Sequence, residues 1–206
     1  MAALDEPQQR LLEAAGQIFA EKGFKGGTVR EICERAGVNI ASVNYYFRDK
    51  ERLYIETVKH AACGSAELAH LPEWGPETPP AIKLRDFIHM LVARLMSSAK
   101  PAWHTQLMMR EMVRPTSACS EWVRDYVRPV FEVLQNILVE LLPPQTPRWK
   151  RYMVGFSIVG QCLYYVQNRP VVSLLVGEED FARLDAAAIA EHVTAFSLAA
   201  LGLHKG

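Results

Sequence analysis

No run in this 206-residue chain is long and apolar enough to read as a membrane span. The strongest, Tyr152 to Val166, falls short of the ~20 residues a bilayer requires and contains Gln161. It reads instead as a helix buried on more than one side, and no membrane partner is expected. An excess of charge of one sign is missing too. The 23 Lys and Arg balance the 23 Asp and Glu, which excludes a globally basic nucleic-acid binder and requires any attraction for a polyanion to be local. Cys33, Cys63, Cys119 and Cys162 lie far apart and form no CxxC pair; they read as reduced, buried thiols of a cytoplasmic protein. The chain opens with acidic and then amphipathic sequence, unlike a secretory signal. HExxH, Walker and dinucleotide-binding motifs are absent, and GFSIVG at 155–160 misses the GxSxG spacing in a helical context. No catalytic residue and no cofactor is therefore expected. His104 and Glu111 stand without a clustered ligand motif, so no metal site is expected. Strand alternation and internal repeats are also missing; VVSLLV at 171–176 is short and apolar enough to be ambiguous between helix and strand.

What is present is helical patterning, with half of the residues hydrophobic. The length accommodates one domain of about 50 to 60 residues and a larger one with its own core. The most informative string is TVREICERAGVNIASVNYYFRDKERLY, residues 28–54. Thr28 with Glu31 three places on forms a capping box. A short helix starts there, with Ile32 and Ala36 facing inward and Gly37 ending it in a left-handed turn. Asn39 caps a second helix in which Val43 and Phe47 are buried with Val38, leaving Ile40, Ala41, Ser42, Asn44 and Tyr46 for the outer face. Asp49 caps a third helix, and Lys50 in its first turn sets an ammonium beside free backbone amides, a seat for a phosphate. Small, amide and aromatic side chains on an exposed helix face suit a groove of DNA. Between positions 22 and 52, seven cations (Lys22, Lys25, Arg30, Arg35, Arg48, Lys50, Arg52) stand against four acids (Glu31, Glu34, Asp49, Glu51), enough for a few directed phosphate contacts.

These residues resemble the DNA-binding domain of the TetR-type family of bacterial transcriptional repressors. The resemblance extends upstream to residue 7: RLLEAAGQIFAEKGF at 10–24 matches the family's first helix, with Leu12, Ala15 and Phe19 on one stripe and a Schellman-like stop at Gly23-Phe24. Family members usually carry Tyr where this chain has Asn44. VNIASVNYYF, with FSIVGQCLYY at 156–165 and EHVTAFSLAAL at 191–201, resembles the CecR-like branch. The resemblance implies an all-α fold: a three-helix DNA-binding domain over 1–60 and a helical effector-binding and dimerisation domain over 61–206. By position in the family motif, Ala41, Ser42 and Asn44 face base edges of double-stranded operator DNA. Thr28, Arg30, Tyr46 and Lys50 hold phosphates or the groove edge, and Tyr45 completes the set of DNA contacts.

Beyond the reader, helices alternate with Pro-marked stops. HLPEWGPETPP at 70–80 is a break, after which Leu84, Phe87, Ile88, Leu91 and Leu95 mark one helix and Trp103 to Met112 another. Ser120 to Leu142 forms a long helix bent at Pro129, PPQTP ends it, Arg148 to Asn168 forms the next, and Asp185 caps the last. Ile189, Val193, Phe196 and Ala200 recur on that last helix, and Gly155, Ser157 and Gly160 let the preceding one be approached closely. Such faces are covered either within one subunit or by a second copy; the resemblance implies a homodimer using Gly155, Ile189, Val193, Phe196 and Ala200. Trp103, Met108, Trp122, Tyr126, Gln161 and Tyr165 have the composition of an adaptable, mostly apolar effector cavity, against the alternative that most of them are plain core.

Overall fold

The structure is a computed structural model that describes residues 5–63, 72–97 and 101–203. Every element among them is a helix: α1 (Glu6–Gly26), α2 (Val29–Ala36), α3 (Ala41–Phe47), α4 (Lys50–Cys63), α5 (Pro80–Met96), α6 (Ala102–Val113), α7 (Ser117–Trp122), a π-helical turn (Val123–Val127), α8 (Arg128–Leu141), α9 (Arg148–Gln167), α10 (Arg169–Ala182) and α11 (Ala186–Ala200). The third helix of the reader, capped at Asp49, is described as far as Cys63, and His70 and Leu71 of the Pro-rich break lie outside the described residues. The helices gather into two compact units. One holds α1 to α4 with α6, α7 and the π-helical turn; the other holds α5 and α8 to α11.

In the first unit α1 supplies the central apolar stripe, burying Leu11, Leu12, Ala15, Ile18 and Phe19 against Ile32, Ala36, Val43, Phe47, Leu53 and Val58. The stop expected near the end of α1 occurs at Gly23, but in a different conformation. Its φ of 72° and ψ of 177° lie in a region open essentially to glycine alone, rather than in the left-handed helical well of a Schellman motif. α6 packs on α1 through Trp103, whose ring lies so close to Gly16 that a Cβ there would have no room. Tyr54 of α4 meets Phe19 and Phe24 edge-on at 4.8 and 5.1 Å. Its hydroxyl donates to Glu111 of α6, which also accepts from the amide and hydroxyl of Thr116, the N-cap of α7. Burial, and then the Glu111 carboxylate, hold the Tyr54 hydroxyl well above its ordinary pKa.

The long helix expected over 120–142 is three elements. α7 starts at Ser117, five residues of π-helix follow, and α8 begins at Arg128. Pro129 has no N–H for the carbonyl of Asp125, and the widened turn just before it closes with the Arg128 amide on the Val123 carbonyl.

The second unit is built on Leu84, Phe87, Ile88 and Val92 of α5, which pack with Leu134, Ile137 and Leu138 of α8, Ile158 and Cys162 of α9, and Ile189, Ala190 and Val193 of α11. VVSLLV resolves as helix: Pro170 opens α10 rather than only stopping α9, because a proline in the first helical turn loses no hydrogen bond. Asp185 caps α11 by accepting from the Ala188 amide at 2.8 Å.

Two expectations for α9 and α11 need correction. Ile189 and Val193, with 2% and 0% of their surface exposed, are core residues of their own unit. Gly155 is likewise buried, and a Cβ there would meet Gln135 Nε2 at 2.6 Å, so its small size serves the packing of α8 on α9. Periodicity identified an apolar helix without deciding which of its sides faces inward. Phe196 is 58% exposed and Ala200 is also exposed, as are Met153, Phe156 and Tyr164 on α9.

Candidate nucleic-acid interface

The turn between α2 and α3 forms as the local chemistry dictates. Thr28 Oγ1 accepts from the Glu31 amide at 3.2 Å, and Gly37 closes α2 at φ 65°, ψ 37°. The box is only half reciprocal, because the Glu31 carboxylate pairs with the Lys22 ammonium at 2.6 Å instead of the Thr28 amide. Asn39 Oδ1 caps the Ala41 amide at 2.9 Å. Val43 and Phe47 are buried and anchor α3, which turns Ala41, Asn44 and Tyr45 outward, with Tyr45 82% exposed and Ser42 and Tyr46 half-buried at the flank. The Tyr45 and Tyr46 rings meet edge-on at 4.8 Å.

Around this face stand the polar groups expected to meet a phosphate backbone. Thr28 is exposed, and while its oxygen caps α2 its hydroxyl hydrogen remains available to donate. Arg30 is exposed but pairs with Glu34 one turn on, at 2.9 Å. Asp49 accepts from the Arg52 amide at 2.7 Å, and the first amides of α4 have no intrahelical acceptor. Lys50 Nζ lies 4.8 Å from the centre of the Phe24 ring, a contact that steadies the ammonium at the helix start. Arg52 is committed elsewhere, to Glu56 and Glu121. Lys25, Arg35, Arg48 and Lys50 are the cations of this segment without a carboxylate partner among the described residues.

Arg48 is an exposed cation of this face that was not among the expected contacts. It joins α3 to α4 at φ 72°, ψ −49°, and the Asp49 amide bonds back across it to the Phe47 carbonyl at 2.9 Å. This is the positive-φ γ-turn, which is rare and strained. No sequence signal marks it, since neither glycine nor asparagine occupies the position.

The residues expected to line an effector cavity divide between the units. Trp103, Met108 and Trp122 pack in or against the core of the first, and Trp103 Nε1 donates to Glu13 Oε2 at 3.0 Å. Tyr126 is half-buried in the π-helical turn. Tyr165 packs against the second core, and Gln161 donates to the Ser157 carbonyl of its own helix. A cleft of about 430 Å³ lies in the first unit, lined by charged Glu6, Arg10, Glu13 and Arg35 with Gln9, Gln17, Ala14 and Ala36; none of the residues expected to line an effector cavity borders it. The expectation of no clustered metal ligands also changes. Glu13, His60 and His104, from three helices, each bring a ligand atom within 4.8 Å of the others. No helix among the described residues is long and apolar enough to cross a membrane.

Residues 11–57 match the family of bacterial regulatory proteins of the tetR type, and residues 80–201 match the C-terminal domain of the HTH-type transcriptional dual regulator CecR. The HTH-type transcriptional repressor AcnR of Corynebacterium glutamicum is 37% identical over 71 residues, which are 33% of this chain and 38% of that protein's length. The dual regulator CecR of Shigella flexneri is 23% identical over 182 residues, 84% of this chain and 81% of that one. Among solved structures, a TetR-like transcriptional regulator from Rhodococcus sp. RHA1 superposes with a TM-score of 0.66 at 15% identity, covering 98% of this chain and 99% of that one. The hemolysin II transcriptional regulator HlyIIR gives 0.56 at 22% identity, with 91% and 97% covered. These likenesses are of fold.

Proposed function

Because the chain belongs to the TetR family of bacterial regulatory proteins, with a CecR-type C-terminal domain, we propose that it is a cytoplasmic homodimeric repressor that binds a two-fold symmetric operator. The observation that carries this reading is the outer face of α3. Two buried anchors, Val43 and Phe47, hold Ala41, Asn44 and Tyr45 outward, between the phosphate-seeking groups of Thr28 and Lys50. Asn44 can pair with an adenine edge through its donor and acceptor together, while small Ala41 and Ser42 allow close approach in the major groove. Two copies presenting this face address half-sites about one or more helical turns apart. Selection of binding sequences from a random duplex pool with the full-length chain tests the proposal. Enrichment of an inverted repeat is expected; enrichment of an unpaired half-site, or of nothing, overturns it.

We further propose that a small, mostly apolar molecule entering the C-terminal domain releases the protein from DNA. Within the second unit, the aromatic ring of Tyr165 against the core and the amide of Gln161 as a polar orienting group support this. The release depends only on the difference in the ligand's affinity for the two states, typically 1 to 3 kcal/mol, so operator must weaken ligand binding by the same factor. Calorimetric titration with and without operator measures it, and equal affinities would show that a compound is not the inducer. The packing of Trp103, Met108 and Trp122 against core favours a second reading, a DNA-binding regulator with no small-molecule response. A thermal-shift screen in which no compound moves both stability and operator affinity would support that one.

A further inference from the structure

We propose that Glu13, His60 and His104 bind a divalent transition-metal ion, with zinc the best match, inside the first helical unit. The three residues come from α1, α4 and α6, so their convergence within 4.8 Å of one another is a product of tertiary packing and not of one helix face. Their setting resembles a ligand set with its support in place. Trp103 Nε1 donates to Glu13 Oε2 at 3.0 Å, and the other carboxylate oxygen lies 3.7 Å from His60 Nε2. A hydrogen bond to the oxygen that does not ligate is the usual device for orienting a carboxylate at a metal. The same indole braces both imidazoles: the His60 ring lies parallel to it at 6.2 Å, and the His104 ring meets it at a steep angle with centroids 4.0 Å apart. His104 is buried, while Glu13 and His60 keep part of their side chains in contact with solvent. An ion can therefore enter past two ligands to a third, with water completing its coordination.

The donor chemistry selects the ion. Two imidazole nitrogens and one carboxylate oxygen suit zinc, cobalt or nickel, and the set contains no sulfur for a soft monovalent ion. Calcium and magnesium call for mostly oxygen ligands. Zinc holds nitrogen and oxygen at ~2.0–2.2 Å, so the donors must draw together from their present spacing, which rotation of the part-exposed His60 and Glu13 side chains supplies. The ion would join α4 to α1 and α6 ten residues beyond Lys50. This site is independent of the operator reading, since none of its three ligands lies on the α3 face.

The experiment uses the full-length chain without a histidine tag, with Zn(II) and Co(II) as the probes. One ion per chain should bind and alter the tryptophan fluorescence, and bound Co(II) should show ligand-field bands without thiolate charge transfer. His60→Gln and Glu13→Gln should each lower zinc affinity at least ~10-fold with the helical circular dichroism unchanged. Glu13→Gln keeps an acceptor for Trp103, so its effect reports the lost carboxylate charge. Zinc affinity unchanged in both variants, a thiolate band that places the ion on cysteines, or no binding by the wild-type chain overturns the proposal. Operator binding measured on the same variants separates this outcome from failure of the DNA-binding reading, because the α3 face is left intact.

Discussion

Tyr54 of α4 donates its phenolic hydrogen to Glu111 of α6, 57 residues away in the chain, and that carboxylate has none of its surface exposed. The pair, with Thr116, makes a polar set that ties α4 to α6 and the start of α7. Removing Glu111 strands the buried hydroxyl of Tyr54, at a cost of about 1–3 kcal/mol, and takes the acceptor from the part-buried amide and hydroxyl of Thr116. Glu111→Ala should therefore lower stability to urea by several kcal/mol. Tyr54→Phe, which leaves the Thr116 bonds in place, should cost about 1–2 kcal/mol. Equal losses in the two variants would show that the Thr116 bonds contribute nothing.

At the DNA face, the cations and the amide should separate by kind of effect. Lys50→Ala should weaken binding to all duplex sequences and reduce the log–log salt slope by ~1, the signature of one lost phosphate contact. Asn44→Ala should relax preference at one operator position with the salt slope unchanged. A changed base preference in the Lys50 variant would reverse these roles.

Arg48 combines a strained backbone with an exposed cation beside the α3 face. Its γ-turn conformation costs a non-glycine residue on the order of 1–3 kcal/mol. Arg48→Gly should thus leave thermal stability unchanged or raised while weakening operator binding in titrations. A loss of stability in this variant would mean that the arginine side chain holds the turn.

Assembly can be tested through two neighbours on α11. Phe196→Glu places a charge on an exposed side chain and should yield folded monomers that bind operator weakly. Val193→Glu buries a charge in the core of the unit and should unfold it. Sedimentation and circular dichroism distinguish the two, and an unaffected dimer in the Phe196 variant would remove α11 from the interface.

The ion pairs between α4 and α7 predict a pH response. The hydrogen bond from Lys59 holds the Glu121 carboxyl below its ordinary pKa, with Arg52 adding to the effect against some burial. A carboxyl lowered on folding contributes stability above its unfolded pKa and loses that contribution as pH falls through the folded value. Glu121→Gln should therefore flatten the decline of melting temperature with acidification, and a decline as steep as in the wild type would show that the pair adds no net stability.

The reader's two turns were legible in the sequence because they are local. Thr28, Gly37, Asn39 and Asp49 each act on backbone groups within a few residues, and Val43 with Phe47 records the helical period directly. The return of α6 onto α1 left no such trace. It depends on Gly16 lying under Trp103, two residues whose fit is set by the shape of the packed helices. The inward side of α11 was undecided for a related reason: apolar spacing along a helix does not say whether it meets its own core or a second copy, and only packing with α5 and α9 determined that Ile189 and Val193 go in while Phe196 stays out. The meeting of Glu13, His60 and His104 is a tertiary product as well, because side chains spread over more than ninety residues converge only after three helices have packed. Local capping chemistry determined from sequence alone where α2, α3 and α4 start and where α2 stops, and long-range packing decided which of their side chains share a site.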